Sequence, residues 1–193
     1  FDKSEIEQET SLKHGKNPKV VVANRGSGSV SVINTGTDAV DQTVVLPDNA
    51  EPMYVIPQRF AGRVFVGDRA NDRVVVFDSR TYDVVGMVPA GQGVFHQWLP
   101  RRGNQLWVNN DIDNTITVID PMALTVMATV ALPADLVAMG GKPHDVVLDH
   151  RGRWAYVTML GVDGPSDYLV QYDTDTFSEL ARQPVGKDPH VAM

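Results

Sequence analysis

The sequence predicts an all-β fold: a β-propeller of four-stranded antiparallel blades, about four in this chain, set radially about a channel as part of a larger, seven- or eight-bladed ring. Three observations carry that prediction. Apolar segments at 21–24, 65–68, 107–110 and 156–159 recur at intervals of 44, 42 and 49 residues. Each is followed by a polar turn and a second strand that closes on Asn34, Asp78, Asp120 or Asp173. The 3.6-residue periodicity of an amphipathic helix is nowhere sustained.

Within each unit the elements follow in a fixed order. The second strands fall at 30–33, 74–77, 116–119 and 169–172, and the Asn or Asp that ends each one supplies a side-chain oxygen for backbone N–H groups two or three residues ahead. Three residues further on stand Thr37, Thr81 and Thr176, with Ala123 the exception. Next comes a valine-rich outer strand, as at 39–46 and 124–132, and then an inner strand preceded by Gly or Pro, at 52–57, 94–100, 143–148 and 189–193. Residues 1–18 read as an N-terminal extension and 19–193 as the blades. The unit over 19–46 lacks an inner strand, and the last inner strand lacks the other three. Closure through the chain's own ends, pairing of two chains into eight blades, and blades outside this sequence are the three ways to complete the ring, and the third is the expectation.

Composition removes several function classes. The chain has 193 residues, 17 Lys+Arg against 24 Asp+Glu for a net charge of −7, and no basic run, so a nucleic-acid or anionic-membrane partner is not expected. Hydrophobic residues at 42% and a mean hydropathy of −0.17 belong to a soluble globular chain, and no apolar stretch reaches the roughly 18 residues of a membrane span. The absence of cysteine excludes disulfides, thiolate catalysis and Cys-ligated zinc. A first residue of Phe1 fits removal of a signal peptide, hence a periplasmic or secreted location.

Tyr156, Val157, Thr158 and Met159 nearly match the signature tetrapeptide of the YVTN-repeat propellers, and the other three segments match it loosely. The chain resembles that family over residues 19–193, and similar repeats occur in the propeller domains of cytochrome cd1 and nitrous oxide reductase and in lactonase-like propellers. The resemblance implies the fold and leaves the function open, because its motif consists of strand and turn residues.

Histidine placement is the strongest chemical signal. His96, His144 and His190 occupy similar places at the start of inner strands, with spacings of 48 and 46, and Met53 stands 43 residues before His96. Projected from successive inner strands toward one mouth of the channel, three imidazoles suit a transition metal, with Met53 as a soft ligand. Without cysteine or a well-placed carboxylate, copper is favoured over zinc, and haem is a further alternative. The competing reading is that each histidine hydrogen-bonds the backbone of a neighbouring blade. Asp111, Asp113 and Asn114 lack the glycine and distal glutamate of a calcium loop and read as a hairpin turn. His150 reads as solvated, the Gly26 to Ser29 stretch lacks the following helix of a phosphate cradle, and Trp98, Trp107 and Trp154 read as packing. Two functions remain. One is a copper-dependent redox enzyme acting on a small substrate with an electron-transfer partner, which the resemblance to the nitrous oxide reductase and cytochrome cd1 propellers supports. The other is a non-catalytic propeller that binds a protein or small ligand on its loop face. A lactonase-like hydrolase would need a carboxylate-rich metal site.

Overall fold

The structure, a computed structural model, describes residues 19–58, 60–101 and 103–191. The extension over 1–18 and the last two residues of the fourth expected inner strand lie outside them. Blade one comprises β1 (Lys19–Asn24), β2 (Ser29–Asn34) and β3 (Ala39–Val45). Blade two comprises β4 (Pro52–Gln58), β5 (Arg63–Asp68), β6 (Arg73–Asp78) and β7 (Val84–Pro89). Blade three holds β8 (Val94–Trp98), β9 (Leu106–Asn110), β10 (Thr115–Asp120) and β11 (Thr125–Ala131). Blade four holds β12 (Lys142–Leu148), β13 (Trp154–Leu160), β14 (Asp167–Asp173) and β15 (Glu179–Val185). All neighbours are antiparallel and consecutive in sequence, so each blade is a meander. The all-β, partial-propeller expectation holds, and the first unit has three strands, as its sequence implies.

One expectation is corrected and one element is added. Pro189, His190 and Val191 carry no strand; the Val191 N–H donates to the Asp145 carboxylate and not to a ladder. A short helix, α1 (Ala134–Ala138), interrupts the link between blades three and four. A helix of five residues gives too few positions for a helical period to stand out in the sequence, yet the turn buries Leu136 against the seam between the two blades.

The core lies between the blades rather than within them. Along β5, Val64 and Val66 pack toward blade one while Phe65 packs toward blade three; along β9, Leu106 and Val108 face blade two and Trp107 faces blade four. Period-2 alternation therefore serves two seams, and both faces of a middle strand are buried. That is why these strands read as continuous apolar runs. Outer strands are mostly exposed: β3 has no buried residue and β7 buries only Val88, and Val40, Val45, Val84 and Val85 face solvent.

The Asx turns form as expected in every blade. Asn34 accepts from the Gly36 N–H, Asp78 from Arg80 and Thr81, Asp120 from Met122 and Ala123, and Asp173 from Asp175 and Thr176. The residue four beyond each one, Asp38, Tyr82, Leu124 and Phe177, has positive φ. A bulky side chain in that conformation is strained, and here packing offsets the strain. Leu124 reaches back to Gly86 on the preceding blade, where an added Cβ would stand 2.6 Å from its Cδ1, and Phe177 packs on Trp107. Leu124→Ala should lower unfolding free energy by about 2 kcal/mol, the low end for leucine truncation because Leu124 is half-buried. Urea denaturation checks this, and an unchanged midpoint would mean that the plug contributes nothing.

Candidate metal and ligand site at the channel mouth

The inner strands β4, β8 and β12 pack side by side and run in the same direction, so their first residues meet at one mouth of the channel. Each has the same irregularity there. In β4 the ladder steps from Pro52↔Asp68 to Val55↔Val66, in β8 from Val94↔Asn110 to Gln97↔Val108, and in β12 from Pro143↔Met159 to Val146↔Val157. Three residues advance on the inner strand for two on its partner, which is a β-bulge. The bulge re-aims two consecutive side chains, giving the doublets Met53 and Tyr54, Phe95 and His96, and His144 and Asp145.

This register corrects the sequence alignment of the histidines. Met53, Phe95 and His144 are equivalent, and His96 stands one position further on, level with Tyr54 and Asp145. A spacing of 48 between His96 and His144, where the repeat between these blades is 49, is the trace of that offset. The ring contacts run unbroken around the arc. Tyr54 meets Phe95 at 5.6 Å and His96 at 4.6 Å between centroids, Phe95 meets His144 at 4.9 Å, and His144 meets His190 at 4.7 Å. Aromatic packing of this kind fixes each ring by its neighbours in the next blade.

Of the sequence candidates, the structure brings His144 and His190 together and adds Asp145 between them. Single ligand atoms from these three residues lie within 4.8 Å of one another. Asp145 Oδ1 is 3.1 Å from His144 Nδ1, and Oδ2 is 3.2 Å from His190 Nδ1. The expectation that no carboxylate is well placed is thus overturned: Asp145 follows His144 directly, and only the bulge turns both side chains to the same side. Met53 remains on blade two, two blades from this cluster.

His96 is set apart by its hydrogen bonding. Its Nδ1 accepts from the Val146 N–H of the next blade at 3.1 Å, which fulfils for this residue the structural alternative and makes Nε2 the protonated nitrogen of the neutral ring. Burial holds its pKa below the usual histidine value, with the neighbouring His144 acting in the same sense and the Asp145 charge opposing. A lowered folded-state pKa means that the unfolded chain binds the proton more readily, so stability rises with pH across the interval below about 6.5. His96→Asn keeps an acceptor for Val146 without a titrating group. The variant is expected to lose part of the acid-induced drop in melting temperature that the parent shows below pH 6.5, and superimposable pH profiles would contradict the assignment.

Backbone and side-chain hydrogen bonds hold the doublets. Gln97 Nε2, fully buried, donates to the carbonyls of Tyr54 and Phe65, Asn109 Nδ2 donates to the His144 carbonyl at 3.0 Å, and the Asp145 N–H donates to Thr158 Oγ1 at 2.9 Å. The loop carrying His190 is tethered by Asp167, whose side chain accepts from Lys187 Nζ, the Asp188 N–H and the Val162 N–H. Burial alone would raise the Asp167 pKa, but Lys187 and the two N–H donors outweigh it and hold it below the usual carboxylate value. Asp111 and Asp113 serve loop structure: Asp111 pairs with Arg69 at 2.8 Å and Asp113 accepts from the Gln92 N–H. Trp107 is core and His150 is exposed, as expected. Tyr54, Phe95 and Asp145 were not singled out in the sequence, and the recurrence of a Pro- or Gly-led doublet was the signal available for them.

Fold and site together define a β-propeller arc with an imidazole–carboxylate cluster at one mouth. No known family model matches the chain. Protein NirF of Stutzerimonas stutzeri is 30% identical over 88 residues, which take in 45% of this chain and 22% of that protein. Protein NirF of Pseudomonas aeruginosa is 28% identical over 119 residues, or 61% of this chain and 27% of that protein. The chain spans about a quarter of the length of the curated relatives it matches. Hydrazine synthase of Kuenenia stuttgartiensis shares the fold with a TM-score of 0.76 at 14% identity, over 87% of this chain and 46% of its own. Dihydro-heme d1 dehydrogenase NirN, solved in complex with DHE, does so with a TM-score of 0.67 at 17% identity, over 88% of this chain and 36% of its own. Among the described residues no helix is long and apolar enough to cross a membrane.

Proposed function

We propose that this chain is the ligand-holding arc of a propeller that binds a haem-type tetrapyrrole at the channel mouth, in a redox or tetrapyrrole-processing role. The observation that carries the reading is the Asp145 clasp on His144 and His190 beside the ring belt of Tyr54, Phe95 and His96. The donor set fits such a group: imidazole nitrogen is an axial ligand for haem iron, and exposed aromatic faces suit a planar macrocycle. His144 and His190 would supply ligation, Tyr54 and Phe95 apolar contact, and His96 an N–H donor. When bound, the group would supply one-electron chemistry at iron. The name of one similar structure, a dihydro-heme d1 dehydrogenase, favours this reading over copper, which none of the comparisons supports. A periplasmic or secreted site of action goes with it, as does a small-molecule or electron-transfer partner.

The test is an absorption titration of the purified protein with iron(III) protoporphyrin at neutral pH. A saturable Soret shift at one equivalent is expected for the parent, together with loss of that shift in His144→Ala/His190→Ala. The same spectrum in both proteins would remove the reading, and saturable copper binding by the parent without a Soret shift would restore the copper alternative.

A further inference from the structure

We propose that Asp145 is a positioning residue that fixes both imidazoles of the site in one tautomer, Nδ1–H, so that His144 and His190 each present a Nε2 lone pair to the ligand. The inference rests on the reading of these two histidines as ligands, and it adds which atom ligates and what selects it. Asp145 is built for the task. Its side chain is 8% exposed, yet it belongs to a mouth in which the His144 and His190 side chains are 26% and 65% exposed. One oxygen faces His144 Nδ1 at 3.1 Å; the other faces His190 Nδ1 at 3.2 Å and also accepts the Val191 N–H at 3.1 Å. The Asp145 N–H is itself held by Thr158 Oγ1. An ionised carboxylate only accepts, so the hydrogen-bonded His144 Nδ1 must carry a proton and in a neutral ring its lone pair is then on Nε2; His190 Nδ1 lies at ion-pair distance from the other oxygen, and the same tautomer is inferred for it. A carboxylate that orients an imidazole in this way also raises its basicity as a ligand. His96 has the opposite arrangement, because a backbone N–H occupies its Nδ1, so its Nε2 is a donor and not a ligating atom. The mouth therefore presents two ligating imidazoles and one donating imidazole, a division that residue identity alone does not reveal.

Long-range 1H–15N correlation spectra of the ligand-free protein at pH 8 read each tautomer directly. His144 and His190 are expected as Nδ1–H and His96 as Nε2–H, with assignments from single His→Ala variants. In Asp145→Asn the amide offers one acceptor and one donor, so one of the two imidazoles should leave the Nδ1–H form. Zinc titration of the same proteins should show affinity reduced by about 10–100-fold in Asp145→Asn, the range for a lost orienting partner. Asp145→Asn is near isosteric, and a parent-like melting temperature with the tautomer change establishes positioning rather than collapse. If Asp145→Asn loses its fold, His190→Ala with Asp145 intact gives the second reading: His144 should remain Nδ1–H. Nε2–H forms of His144 and His190 in the parent, or unchanged tautomers in Asp145→Asn, overturn the proposal. Complete loss of zinc binding with unchanged tautomers would make Asp145 a direct ligand and overturn it as well. Because the spectra need no tetrapyrrole, correct tautomers without a Soret shift would count against the haem reading alone.

Discussion

Trp107→Ala should lower the unfolding free energy by about 3–5 kcal/mol, the range for truncating a fully buried tryptophan. Trp107 has no exposed surface and lies in the seam between blades three and four, with Tyr172 at 6.3 Å and Phe177 at 6.1 Å between ring centroids. Its indole Nε1 donates to Gln105 Oε1 at 2.8 Å, and Gln105 Nε2 donates on to the Thr174 carbonyl of the next blade. Removing the indole opens a cavity and strands a buried amide oxygen, and the two costs act at the same seam. Trp107→Phe should retain most of the packing and lose roughly 1–3 kcal/mol through the unpaired Gln105 oxygen. Equilibrium denaturation of the three proteins checks the order. A Trp107→Ala variant within 1 kcal/mol of the parent would mean that the seams between blades do not hold the arc together.

The second large effect belongs to the mouth. His144→Ala/His190→Ala should weaken iron tetrapyrrole binding by more than the 10–100-fold that loss of a supporting residue causes, because it removes the ligating nitrogens themselves. Both side chains are partly solvated, so the melting temperature should stay near that of the parent. His96→Ala takes away a donor and a backbone partner, and its binding loss should be the smaller. Binding isotherms and melting curves on the same samples separate these cases. Equal losses in the double variant and in His96→Ala would contradict the division of roles.

Most of the fold was legible because strand and turn chemistry is local. Asn34, Asp78, Asp120 and Asp173 announce their turns by residue type, and the apolar runs of β5, β6 and β9 announce strands buried on both faces. The short helix over Ala134–Ala138 was hidden because a single turn leaves no period to detect. At the site the histidines were visible and their register was not. A β-bulge adds one residue to one strand, so counting along the sequence aligned His96 with His144 although the ladder sets it level with Asp145. Asp145 was passed over for the same reason: strict alternation would send it to the face opposite His144. The sequence assigns Leu124 to an outer strand and leaves Phe177 unmarked, and only their positive φ and the glycine or tryptophan facing them reveal that they plug the seams.

The proposed ligation requires His144, on the bulged doublet of β12, and His190, on the loop beyond β15, to share one mouth of the channel. Its most direct test is pulsed electron paramagnetic resonance of the iron(III) protoporphyrin-loaded protein, grown with 15N-histidine. The account predicts imidazole nitrogen couplings to the iron that are present in the parent and in His96→Asn and absent from His144→Ala/His190→Ala. Couplings that survive in the double variant, or vanish in His96→Asn alone, would contradict it.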